Sequence, residues 1–99
     1  AKQWGLLEST AKSTIRVFPL NPAPYYFGSV ACNQLNKHQL ASDFVDQGLI
    51  LIMEDPVLES DLLGQRGEAF FGMGQLEKAL VYYLQAIQMK ESTAPIFNF

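Results

Sequence analysis

The side chains with the most intrinsic chemistry in this 99-residue chain are one histidine, His38, and one cysteine, Cys32. An imidazole working as a general base needs a nucleophile and an orienting partner within hydrogen-bond reach, and no spacing in the sequence identifies either. His38 falls in the polar interruption Asn36-Lys37-His38 between two apolar-periodic segments, so it is read as structural. Cys32 falls on the packed face of its segment and is read as a plain buried thiol. A single cysteine leaves no intrachain disulfide and no thiolate metal cluster. The adjacent carboxylates Glu54 and Asp55 sit in a polar connection and read as solvated. With no phosphate-binding loop, dinucleotide glycine motif or His-Glu-x-x-His pattern, the expectation is a chain without catalytic residues, cofactor or metal.

Aromatic side chains carry a different chemistry, that of contact. Tyr25-Tyr26, Phe70-Phe71 and Tyr82-Tyr83 are adjacent pairs, and neighbours on a helix diverge by about 100°. One ring of each pair is therefore expected in a core (Tyr25, Phe70, Tyr83). Tyr26 and Phe71 would point to a second surface, and Tyr82 outward or towards a neighbouring unit. Such second rings either pack on an adjacent helix or form a platform for a bound peptide.

Composition bounds what these residues can belong to. Hydrophobic residues make up 48% and charged residues 17%, which suits a packed module rather than a disordered one. Seven basic against ten acidic residues give a formal charge of −3, which argues against a nucleic-acid partner held by phosphate neutralisation. The longest aliphatic run, Leu49 to Met53, is far short of the roughly 20 residues that cross a bilayer, and the opening Ala-Lys-Gln-Trp shows no signal-peptide pattern. Neither feature assigns a compartment.

The elements that position these side chains are helical throughout. Trp4, Leu7, Ala11, Ile15 and Phe18 share one face, and three prolines between Pro19 and Pro24 end that segment. A second helix is expected over 25–35 and a third over 39–53, with Leu40, Phe44, Val45, Leu49 and Met53 apolar and Glu54-Asp55-Pro56 closing it. A fourth starts near Ser60-Asp61 and reaches Met73, where Gly72 or Gly74 supplies a left-handed stop. The fifth runs over 76–89, with Leu76, Ala79, Leu80, Tyr83, Ala86 and Ile87 at helical spacing, and Glu91 to Pro95 breaks it. Ile96 to Phe99 forms an apolar stub. The fold class is all-α.

Two of these helix pairs repeat. Ser29 precedes Ala41 by the same interval that separates Gly67 from Ala79, and small residues at that offset suit the crossing of antiparallel helices. The series Ala41, Val45, Gly48 and Leu49 recurs, at one constant offset, as Ala79, Tyr83, Ala86 and Ile87. A two-helix unit recurring in this way signals a helical solenoid.

The stretch Leu63-x-x-Arg66-Gly67-x-x-Phe70, then Gly74-x-Leu76-x-x-Ala79-x-x-x-Tyr83-x-x-Ala86-Ile87, resembles the tetratricopeptide repeat family. It departs at Arg66, where an aliphatic residue is usual, and at Glu91, where Pro is common. Tyr25, Ser29, Cys32, Asn36, His38, Ala41, Val45 and Gly48 occupy the corresponding places of a looser preceding unit, with a few extra residues around Glu54 to Glu59. The resemblance implies an α-solenoid, a right-handed superhelix of about two and a half repeats. Residues 1–19 would be the second helix of a partial repeat, 22–56 and 60–91 the two full repeats, and 95–99 the start of a further element. It is closest to bacterial members in which the repeats form part of a longer protein.

The same resemblance implies a protein-interaction module whose concave groove receives a partner peptide or protein segment. Its groove positions fall on Tyr26, Val30, Asn33 and Gln34 in the first unit, and on Gln65, Glu68 and Phe71 in the second. Family members that bind chaperone tails use Lys, Asn and Arg there to hold a carboxylate. Tyr26, Val30 and Gln65 depart from that set, which disfavours carboxylate capture. The alternative is a structural spacer or a self-assembly module acting through exposed repeat ends, with a homo-oligomer as its consequence.

Overall fold

A computed structural model describes residues 3–93, with five helices and no strand among them. In order they are α1 (Trp4–Val17), α2 (Ala23–Gln34), α3 (His38–Leu51), α4 (Pro56–Gly72) and α5 (Leu76–Thr93). The expectations for Ile96 to Phe99 lie outside the described residues.

The chain reverses at each connection. Where α2 meets α3, Asn33 reaches His38 at the turn, Gly28 faces Phe44, and Tyr25 faces Gly48 at the far end. α4 runs antiparallel to α3, with Leu62 against Gly48 and Arg66 paired with Asp46. It therefore runs parallel to α2, to which Asn33 and Gln65 join it. α5 returns along α4, with Ser60 bonded to Ala86 and Phe70 stacked on Tyr82.

The two units share their turn as well as their pairing. Asn36 takes φ 60° after α2, and Gly74, at the equivalent place after α4, takes φ +78°. Lys37 N–H then bonds Cys32 O at 2.8 Å, and Gln75 N–H bonds Phe70 O at 2.9 Å. Ala41 N–H returns to Lys37 O and Ala79 N–H to Gln75 O, both at 3.0 Å. Asn tolerates the left-handed region and Gly has no Cβ to oppose it, so each closes the last carbonyls of its helix. Gly74 rather than Gly72 supplies the stop.

Several boundaries differ from the periodicity. Asp55 Oδ1 accepts from Leu58 N–H at 3.1 Å and Pro56 occupies the first turn, where its missing donor costs nothing. So α4 begins at Pro56, a turn before Ser60. At the other end α5 continues through Glu91, Ser92 and Thr93, because only the residue before Pro95 is restricted by it. Phe18 lies beyond α1 and is exposed, as is Met53 beyond α3.

The core is built from Tyr25, Cys32, Ala41, Phe44 and Ala69, with Val45 and Leu62 fully buried beside it. Ser29, Ala41, Gly67 and Ala79 are all buried. At Gly67 the close approach is made by the Tyr83 ring: a Cβ there would stand 2.7 Å from Cδ1. No helix among the described residues is long and apolar enough to cross a membrane.

Candidate functional site

Tyr26, Gln65 and Glu68 come together along one cleft of about 390 Å³ between α2, α4 and α5. Ser60, Asp61 and Gly64 of α4 and Tyr83, Ala86, Ile87 and Lys90 of α5 complete it. Gly64 leaves the cleft open, since no atom lies within 4 Å of where its Cβ would be. Tyr26 is half-buried and braced edge-to-face by Phe27, with ring centroids 5.3 Å apart at 62°. Lys90 Nζ lies 3.4 Å from Asp61 Oδ1 and ties α5 to α4 at one end of the cleft.

Burial, first of all, pushes the Tyr83 phenol up to about 12, and its hydrogen bond with Glu68 and that carboxylate's charge add to the effect. All act in one direction because the phenolate would be desolvated and repelled. The cleft thus presents the Gln65 Nε2 donor, its Oε1 being taken by Asn33, the aromatic face of Tyr26, and the Tyr83 and Glu68 side chains bonded to each other. That set can bond an extended backbone and grip a side chain.

The other sequence-derived positions are distributed differently. Asn33 is buried, and its carboxamide is spent within the fold: Nδ2 donates to Gln65 O and to Gln65 Oε1, both at 3.0 Å. Its Oδ1 lies 2.9 Å from His38 Nδ1. The His38 imidazole covers Gly72, where any side chain would overlap it. His38 and Asn33 together therefore fasten the α2–α3 turn to α4. Val30 is half-buried and Gln34 exposed. Phe71 is 59% exposed and borders a separate apolar hollow of about 300 Å³ with Leu76, Ala79, Leu80 and Tyr83.

Two arrangements escape a search for motifs. Arg66 pairs with Asp46 and lies 5.1 Å over the Tyr82 ring. Tyr82 stacks on Phe70 at 5.4 Å and 11°, and Lys78 lies 5.6 Å over Phe70. A charged residue in an aliphatic place is the visible sign of this column, although its partner Asp46 carries no signal. Glu8, buried on α1, is held by Lys12 at 3.0 Å and by Lys37 at 2.8 Å. These lysines, Lys37 foremost, hold its carboxyl below the usual range. The Cys32 thiol is pushed up to about 11, chiefly by burial and next by the charge of Glu8, which removes it from thiolate chemistry at neutral pH. Among the described residues no group of three or more His, Cys, Asp or Glu is placed to hold a metal.

Comparison of the chain with models of protein families, with curated proteins and with solved structures finds no match in any of the three.

Proposed function

We propose that this chain is a protein-interaction module of tetratricopeptide-repeat type that receives a partner's peptide segment in the cleft between α2, α4 and α5. The observation that carries this reading is the convergence of Tyr26 from α2 with Gln65 and Glu68 from α4, far apart in sequence, on one open cleft. The repeat assignment draws support from a shared offset: Asn36 and His38, at the turn and the start of α3, correspond to Gly74 and Leu76 before and at the start of α5. A groove preformed on rigid helices costs little to order on binding.

The test is selection of peptides from a random library on the purified chain, followed by mapping of the bound site by amide chemical shifts. Binders should perturb Tyr26, Gln65 and Glu68, and Tyr26→Ala with Gln65→Ala should weaken them with helicity unchanged. Binders that perturb only α1, or that ignore both substitutions, refute the reading.

A second reading, a structural module stacked against neighbouring segments through its ends, draws support from α5. That helix exposes Leu76, Leu80, Leu84 and Ile87 at 47–59%, a face that water alone covers poorly.

A further inference from the structure

We infer that the outer face of the α4–α5 pair is a docking site for an amphipathic helix with basic flanks. This surface shares Glu68, Ala86 and Ile87 with the cleft, but it does not rest on peptide capture there, since Leu76, Leu80 and Leu84 lie outside the cleft. Leu76, Leu80, Leu84 and Ile87 follow one another at steps of four, four and three along α5, which aligns them as a single stripe. Each is about half exposed, and Phe71 of α4 is 59% exposed beside them.

The fold itself contains the precedent for what covers such a face. The α2–α3 pair, one repeat earlier, presents the equivalent surface, and a helix occupies it: α4 lays Leu62 against Gly48 and bonds Gln65 to Asn33. Moving by the offset that carries Ala41 to Ala79 puts Ala86 in the place of Gly48 and Phe71 in the place of Asn33. The α4–α5 face therefore offers a small-residue seat for an aliphatic anchor. It replaces the amide partner with an aromatic ring, so the incoming helix is apolar where α4 has Gln65.

Charge selects among helices. Glu77 and Glu91 are exposed and lie two helical turns on either side of Leu84, on the edge of the stripe, and Glu68 is exposed across from them on α4. The lysines of α5 are engaged elsewhere, Lys78 over Phe70 and Lys90 with Asp61. An apolar floor between acidic edges fits a helix carrying Lys or Arg beside its apolar stripe. A second copy fits poorly, because antiparallel pairing of α5 with itself brings the Glu77–Glu91 edge against its own image.

The probe is a fluorescein-labelled amphipathic peptide of about 18 residues built from Leu, Ala and Lys. It is compared by anisotropy, on the whole chain, with a Leu/Ala/Glu twin and with a scrambled Lys peptide that has no stripe. The amphipathic Lys peptide should bind at least about tenfold more tightly than either control and weaken as salt is raised. Leu80→Glu and Leu84→Gln, both at exposed positions, should each reduce its affinity about tenfold or more with the circular dichroism spectrum unchanged, while Tyr26→Ala leaves it intact. Equal binding of the Glu twin overturns the charge assignment, and indifference to both leucine substitutions overturns the site. A concentration-dependent dimer that Leu80→Glu dissolves overturns the choice of occupant in favour of a second copy.

Discussion

Adding one methyl group to α4 should have opposite effects at two positions on neighbouring turns. At Gly67 a Cβ would stand 2.7, 2.8 and 3.1 Å from Cδ1, Cε1 and Cγ of Tyr83, whereas at Gly64 nothing lies within 4 Å. Both glycines are inside α4, so replacement by Ala gains about 0.5–1 kcal/mol of backbone preference at either site. Gly64→Ala should therefore stabilise by about that amount. At Gly67 the gain is opposed by overpacking, which costs about 1–3 kcal/mol, because the Tyr83 ring must move off α4 while its bond to Glu68 holds it there. Gly67→Ala should come out about 1–2 kcal/mol less stable than the parent, and Gly67→Leu several kcal/mol less. Urea unfolding followed by circular dichroism measures both, and for a chain of this size each kcal/mol moves Tm by about 4–8 °C. The matched pair isolates packing from helix propensity. If Gly67→Ala is as stable as Gly64→Ala, the close approach of α4 and Tyr83 is wrong and the helix register with it.

Replacing Arg66 by Ala should cost about 1–2 kcal/mol in urea, as the pair with Asp46 and the cover over Tyr82 are lost together; an Asp46→Ala variant should lose less, and equal losses would show that the aromatic column contributes nothing. Stability should fall as pH drops below about 4.5, the ordinary carboxyl value from which Glu8 is lowered: the folded carboxyl binds its proton less readily than the unfolded one, so its contribution is complete above that pH and is lost on descent through the folded value. Glu8→Gln should flatten this acid limb, and an unchanged acid limb would rule out the Lys37 and Lys12 pairing as its source. Cys32, with its thiol raised to about 11, should react with iodoacetamide at mildly alkaline pH only after denaturation; rapid alkylation of the native chain would place it outside the core.

Helix number and the recurrence of small residues were legible because both rest on local rules. Periodicity of 3.6 marks each helix, and Asn36 and Gly74 mark the turns between them. Boundaries set by capping chemistry were read less well: Asp55-Pro56 looked like an end and is a beginning, since α3 already stops at Leu51 and Asp55 caps α4. Exposure was the larger gap. Leu76, Leu80 and Ile87 have the periodicity of a core face, yet they are open, because periodicity reports which side of a helix is apolar and not whether a neighbour covers it. Of the groove positions taken from the repeat pattern, Tyr26, Gln65 and Glu68 line one cleft. Asn33 stands apart from them for a physical reason: a carboxamide on a first helix can face a ligand or its neighbour, and here Gln65 and His38 claim both of its ends. Glu8 with Lys37 and Arg66 with Asp46 join residues 29 and 20 positions apart, and no local pattern encodes such pairs.

The joint between His38, Asn33 and Gln65 has a consequence for how the molecule opens. It locks the α2–α3 turn to the middle of α4, so α2, α3 and α4 cannot separate without breaking it, while among the described residues α1 packs on α2 and α5 on α4. Amide protons at the centre should therefore exchange last and those of the outer helices first. Opening would begin at α1 and α5 and close in on a tripod of helices that survives longest.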